Sequence, residues 1–437
     1  MRLNHQLFPL FAIVYFFFIV SCNPTGELSQ THTTINSESP IDNSAKDTVE
    51  VPINIDTSFS VGQYNTKDKY KIAVLLPFSI DRERLLYFDP DAHERTYQPY
   101  IALEFYEGML MALDSLKKQG ANIDLHTWDY GKNLYDSIAV KRSVTEILNQ
   151  PEMKTMDLII GPIDEFGLKE VARFSLQEHI HFVSPLNHFS NLPQPGFRYF
   201  TAAPSMATKV LKFCEYTTSH FESASVTYLI NSFDSTHPVI DTVADFFSAP
   251  ELAERFSFRN VKADYKMNTL LSGLNTKDTN IILNFSNDEV FVNALFRVLN
   301  QRYHKSVGND NKATENFVVI GTKSWLNFES IPIDYFSNLN FHHISTAPKF
   351  DSLTTIHMNS SYYSTYHSIP SEYVLAGFTL LKYFGHLLNQ YGLDFPLNLE
   401  KSNHPYSHYS PTLGNKKYFE NPNVKIIRYE QSRMISN

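Results

Sequence analysis

Lys71-Ile-Ala-Val-Leu-Leu-Pro77 and Asp157-Leu-Ile-Ile-Gly-Pro162 are short, unbroken apolar runs, each closed by a proline. A strand with one wet face alternates apolar and polar residues. An unbroken run predicts a strand buried on both faces, as in a parallel sheet. Ile123 to Trp128 and Ile180-His-Phe-Val-Ser-Pro185 read as two more strands. Between them the apolar period changes to that of helices, over Ile101 to Gln119, Tyr135 to Gln150 and Glu165 to Glu178, with Gly120 stopping the first. After Arg198-Tyr-Phe-Thr201 the alternation starts again. Strands are predicted at Ser225 to Ile230, Phe258 to Val261, Asn280 to Phe285 and Asn316 to Ile320, separated by helices that include Ala207 to Phe221 and Asp288 to Tyr303. Phe341 to Ser345 reads as extended, Ser352 to His367 and Glu372 to Tyr391 as helices, and Val424 to Tyr429 as a last strand, after a polar, aperiodic stretch from Asn398 to Gly414. This strand-helix order predicts an α/β chain with two doubly wound parallel sheets, one after the other.

The N-terminus carries a different message. Leu7 to Val20 is apolar except for Pro9, after a short region holding Arg2 and His5. The run is shorter than the roughly 20 residues that span a bilayer and has the length of a signal-peptide core. It ends in Ile19-Val-Ser-Cys22, which resembles the lipobox of bacterial lipoproteins. That resemblance implies cleavage before Cys22 and a lipid on its thiol. Residues 23 to 68 are rich in Ser, Thr, Asn and Asp with little apolar patterning. Such a stretch buries too little surface to offset its ordering entropy, and is read as a disordered tether. In lipoproteins of the Bacteroidetes type, acids just after the Cys resemble a surface-export signal; Asn23 to Glu27 lacks such a cluster, so the resemblance implies the periplasmic side of the membrane.

Roughly 370 residues remain after the tether, too many for one common core and suited to two domains. A composition of 43% hydrophobic and 14% aromatic residues supplies that core. The net charge of -9, with acids and bases interspersed, argues against a nucleic-acid partner, which needs a basic face. Of the 2 cysteines, Cys22 is committed to lipid, so Cys214 has no disulfide partner and is expected to be a buried, inert thiol. The 17 histidines are scattered. The pairs His179/His181, His342/His343 and His404/His408 accompany no cysteine pair and no H-E-x-x-H helix, so no metal site is expected. G-x-S-x-G, G-x-G-x-x-G and Walker A patterns are all missing from the sequence, leaving no indication of catalysis or of a cofactor.

The element order resembles the type I periplasmic binding fold, the family of branched-chain amino-acid binding proteins, particularly as it occurs in Bacteroidetes-type envelope lipoproteins. The resemblance rests on Lys71 to Pro77 as first strand, Glu104-Phe-Tyr-Glu-Gly-Met-Leu-Met-Ala-Leu113 as first helix, Asp157 to Pro162 as third strand and turn, and Phe182-Val-Ser-Pro185 followed by Pro204-Ser205 as fourth strand and first hinge crossing. It implies a signal peptide at 1–21, a tether at 22–68, one lobe from 69–201 plus 348–397, a second from 202–347 plus 398–437, and a hinge between them. It also implies a periplasmic protein on a membrane, most simply the outer membrane, that binds either a small polar solute between its lobes or an envelope protein partner.

Ligands of doubly wound sheets sit beyond the carboxyl ends of the strands. The candidates there are Ser79, Gly161, Ser184, Asn187, Ser205, Asn231, Ser232, Asn284 and Thr322. The polar ones are short and neutral, suited either to hydrogen-bonding a ligand or to capping helices and turns. The turn after the third strand, Gly161-Pro-Ile-Asp-Glu-Phe166, departs from the family. Amino-acid-binding members carry hydroxyl residues there and hold the ligand carboxylate on a helix N-terminus. Asp164 and Glu165 would cap that helix themselves and repel an anion. The stretch from Ile80 to Pro99 looks like an insertion that could form a lid or partner surface.

Overall fold

A computed structural model describes residues 66–79, 97–131, 136–186, 189, 192, 198–233, 239–306, 315–346, 352–401, 409–411, 418–430 and 433–436. The signal peptide, Cys22, nearly all of the tether, most of the insertion after the first strand, Asn187, His404 and His408 lie outside the described residues.

The first half alternates as the apolar runs require: β1 (Tyr70–Leu76), α1 (Tyr97–Lys118), β2 (Ile123–Asp129), α2 (Ser137–Leu148), β3 (Leu158–Ile160), α3 (Glu165–Glu178), β4 (His181–Ser184) and β5 (Tyr199–Thr201). The second half repeats the scheme. It runs through α4 (Met206–His220), β6 (Ala224–Asn231), α5 (Ile240–Phe247), α6 (Pro250–Ala253), β7 (Phe256–Ala263), α7 (Asn268–Leu271), β8 (Thr279–Leu283), α8 (Glu289–Ser306), β9 (Phe317–Gly321), α9 (Ile333–Asn338) and β10 (His342–Ser345). Then follow α10 (Ser352–Tyr366), α11 (Glu372–Tyr391), β11 (Ser410–Pro411), β12 (Phe419–Glu420), β13 (Lys425–Glu430) and β14 (Arg433–Ser436).

The strands form two 7-stranded sheets, β11-β12-β5-β4-β3-β1-β2 and β14-β13-β10-β9-β8-β6-β7. Five parallel strands stand in the same relative order in both sheets, with the first strand of each half between the second and third. That arrangement places the chain reversal, and the crevice it creates, between β1 and β3 in one lobe and between β6 and β8 in the other. Alternate side chains feed two cores in each lobe. Ile72, Val74 and Leu76 point to α1 and α11, while Ala73 and Leu75 point to α2 and α3. In the second lobe Ile282 joins the core around α8 and Trp325, and Ile281 and Leu283 join that under α4 and α5.

The C-terminal route differs from the expectation. The family resemblance implies that residues 398–437 belong to the second lobe, but Leu399, Tyr409 and Phe419 lie in the first lobe's core, and β12 extends the first sheet by pairing with β5. The chain returns to the second lobe only after Glu420, where β13 pairs antiparallel with β10. Phe200 explains the detour: its ring stacks on Phe419 at 4.7 Å and touches Phe395 and Tyr409. These aromatic contacts bury area that the polar linker between them conceals in sequence.

α1 and α11 are the most intimate pair. A Cβ on Gly108 would lie 1.9 Å from the Val374 carbonyl oxygen, and one on Gly377 would lie 1.9 Å from that of Phe105. Only glycine lets the two backbones touch there. Tyr362 of α10 donates to Glu107 and Ser371 at the head of α11 donates to Glu104, so both helices are tied to α1. Among the described residues no helix is long and apolar enough to cross a membrane.

Candidate functional site

A cavity of about 500 Å³ lies between the lobes. The first lobe contributes Ile101 of α1, Ile163 and Leu186 from the turns after β3 and β4, and Tyr373 and Ala376 of α11. Opposite stand Met206 and Lys209 of α4, Thr322 and Lys323 after β9, and Ile344 of β10. Its volume falls in the range of small-molecule sites. One ion pair bridges the lobes at its rim. Lys323 Nζ donates to both carboxylate oxygens of Glu372, at 2.9 and 2.8 Å. Both partners are about half exposed, so the pair contributes at most about 1 kcal/mol. Its importance is geometric, because it spans the two lobes.

Of the strand-end candidates, Thr322 lines this cavity, with its hydroxyl 2.7 Å from that of Ser324. The other described candidates are not among its lining residues and are largely engaged in the fold. Ser79 follows β1 with φ 51; its N–H donates to Asp129 and its hydroxyl to the Gly131 carbonyl. Gly161 has φ 97, and a Cβ there would stand 2.1 Å from the Leu75 carbonyl oxygen. Ser184 is fully buried at the end of β4. Ser205 caps α4 by accepting from the Thr208 N–H, while its own N–H donates to Glu420. Asn231 donates to Asp288 and accepts from the Phe233 N–H. Ser232 is exposed, its N–H donating to the Ala263 carbonyl. Asn284 donates to the Leu229 carbonyl and accepts from the Ser286 N–H. The polar strand ends therefore stitch the crevice turns together.

The acidic turn after β3 is closed. Asp164 caps α3 by accepting from the Gly167 N–H at 2.8 Å, and Glu165 pairs with Lys169 one turn on. The preceding N–H, that of Ile163, donates to the Tyr130 hydroxyl at 3.1 Å. Tyr130 is fully buried, and burial together with the Asp164 carboxylate pushes its hydroxyl well above the usual phenol range. A neutral phenol and a carboxylate thus occupy donors that an incoming carboxylate would need.

Sequence reasoning missed the charged residues of the cleft: Lys209, Lys323 and Glu372. Lys323 could have been found, since it directly follows Thr322 at a strand end. Lys209 lies one turn beyond the Ser205 cap, where a lysine reads as a solvated helix face. Burial instead lowers its ammonium from the usual lysine range, partly offset by the charge of Glu420.

Cys214 is 1% exposed, and burial pushes its thiol up to about 12, which makes it unreactive. His342 is equally buried. Its Nδ1 lies 2.6 Å from the Asn340 carbonyl, which can only accept, so Nε2 accepts from the Tyr216 hydroxyl 3.1 Å away. No cluster of metal-ligating side chains occurs among the described residues.

No protein-family model matches the chain, and neither does any curated protein. Solved structures do. A branched-chain amino-acid ABC transporter protein from Rhodospirillum rubrum superposes with a TM-score of 0.58 at 11% identity, covering 84% of this chain and 100% of that one. A substrate-binding protein from Desulfitobacterium hafniense, in complex with Leu, gives 0.51 at 15% identity over 84% and 100%. Haemophilus influenzae LpoA gives 0.51 at 11% identity, covering 85% of this chain and 59% of LpoA. At these identities the likeness concerns architecture. This chain has the type I periplasmic binding protein fold.

Proposed function

We propose that the protein is a lipid-anchored solute-binding protein of the cell envelope, of the kind that serves ABC transporters, taking a small ligand with a polar group between its lobes. The observation that carries this reading is the cavity of about 500 Å³ lined from both lobes and bridged by Lys323 and Glu372. A ligand touching both walls would stabilise the closed arrangement by hinge motion. In this reading Cys22 carries the lipid and holds the protein on the periplasmic face of the outer membrane. The closed N-terminus of α3 argues that the ligand is not a free amino acid held in the usual way. Calorimetry of the purified full-length protein with leucine and isoleucine is expected to show no binding, and micromolar binding of either would refute that exclusion. The cleft itself is tested by a thermal-shift panel of small solutes on the native protein and on Ala376→Trp, which fills the cavity. Ligands of the cleft shift the native protein alone; a panel without effect, or equal shifts in both, refutes the reading.

A second reading is an interaction protein that keeps the fold and regulates cell-wall (peptidoglycan) synthesis through an envelope protein partner. It is favoured by the same occupied donors at Asp164 and Tyr130, since a chain without a solute has no need of an open anion site.

A further inference from the structure

We infer that the interlobe cavity takes a monoanionic solute with an apolar body, a carboxylate lacking the ammonium of an amino acid, and that Lys209 holds its charge. This rests on the reading of the cavity as a solute site and specifies the solute's class.

The charge inventory of the wall leads there. Three charged side chains line the cavity: Lys209, Lys323 and Glu372. Glu372 receives both of its short contacts from Lys323, so that pair is internally neutral. Lys209 has no hydrogen-bond or ion-pair partner among the described residues. The buried carboxylate of Glu420, 4% exposed, acts on the Lys209 charge from outside the wall and accepts from the Ser205 N–H. Within the wall, Lys209 is the positive charge that no lining carboxylate pairs. A half-buried ammonium with only this indirect support is incompletely compensated, and an anion placed beside it in the cavity lowers that cost. Desolvation lowers the Lys209 pKa as this argument requires.

The remainder of the lining is mixed. Ile101, Ile163, Leu186, Met206, Ile344 and Ala376 supply an apolar part, and Thr322, Ser345, Thr346 and Tyr373 add hydroxyl groups. The apolar part favours an aliphatic or aromatic body, and the hydroxyls can hydrogen-bond the oxygens of its charged end. A zwitterionic amino acid fits poorly for a second reason. Its ammonium needs a carboxylate, and the one carboxylate on the wall is already held by Lys323.

The test uses three probes that share a branched aliphatic body and differ in charge: 4-methylpentanoate, leucine and 3-methylbutylamine. Each is titrated calorimetrically into the full-length native protein and into Lys209→Met, Lys209→Arg and Ala376→Trp. The acid is expected to bind at least tenfold more tightly than leucine or the amine. Lys209→Met should weaken it at least tenfold, Lys209→Arg should keep most of the affinity, and Ala376→Trp should abolish it. Unchanged near-ultraviolet circular dichroism of the Lys209 variants separates loss of the charge from loss of the fold. Leucine or the amine binding as tightly as the acid, with loss in Ala376→Trp, overturns the anion assignment and leaves the cleft as a solute site. Acid binding that survives Lys209→Met overturns the role of Lys209. If neither these probes nor the wider solute panel binds, both readings fall.

Discussion

Replacing Gly377 with alanine probes the contact on which the first lobe depends. The added Cβ would sit 1.9 Å from the Phe105 carbonyl oxygen, whereas ordinary contact begins near 3.4 Å. The obstructing atom is backbone in the middle of α1, so it cannot swing aside as a side chain would. The two helices must part locally by more than 1 Å. Phe105, Met109, Leu380 and Phe384 pack along this seam. A gap of ~0.5–1 Å forfeits a quarter to a half of the dispersion attraction across it. Overpacking of this kind costs about 1–3 kcal/mol before the lost contacts are added. Alanine's better helix propensity returns about 1 kcal/mol. The net expectation is a loss of about 2–3 kcal/mol, or roughly 5–10 °C in melting temperature for a lobe-sized unit. The protein has 2 tryptophans, Trp128 in the first lobe and Trp325 in the second, so guanidinium unfolding followed by fluorescence reports on both. A Trp128→Phe background isolates the second-lobe signal. Gly377→Ala should move the Trp128 transition to lower denaturant. An unchanged or higher midpoint would mean that the helices do not meet through their glycines.

Asp164→Ala removes the α3 cap and is expected to cost about 1 kcal/mol in the same unfolding assay, while Asp164→Asn, which can still accept from Gly167, should cost less. His342 gives a pH signature. Burial, first of all, lowers its pKa from 6.5 to about 4, so the unfolded chain takes up the proton before the folded one does. Stability should fall as pH drops from about 6.5 to about 4, by up to about 3 kcal/mol from this group, and flatten below. His342→Gln should have a shallower slope across that window, measured by unfolding at several pH values, and an unchanged slope would assign the effect elsewhere. Cys22→Ser should release the protein from the membrane fraction in cell fractionation; a variant that stays bound would refute lipidation at Cys22.

The parallel strands were legible because burial on both faces leaves little room for polar residues, as in Lys71 to Leu76 and Leu158 to Ile160. Their equivalence between the two halves followed from strand order. β11 and β12 were not legible. Each has 2 residues, too few for any period, and β12 pairs with β5 across a long separation in sequence. The carboxyl ends of the strands were located correctly as turns, but sequence cannot show how a short polar side chain is used. Ser205, Asn231 and Asn284 all accept from backbone N–H groups of their own turns. The cleft's charges escaped for the opposite reason. Lys209 and Glu372 sit on helices, where charged residues ordinarily face water, and only the docking of the lobes makes them a wall.

The double crossing after α11 also bears on how the two lobes become complete. β12 closes one edge of the first sheet beside β5, and a few residues on, β13 pairs with β10 in the second. Strand pairings between segments so far apart in sequence carry the largest loop-closure cost and form slowly. The short crossing between Glu420 and Lys425 therefore links the completion of one sheet to that of the other.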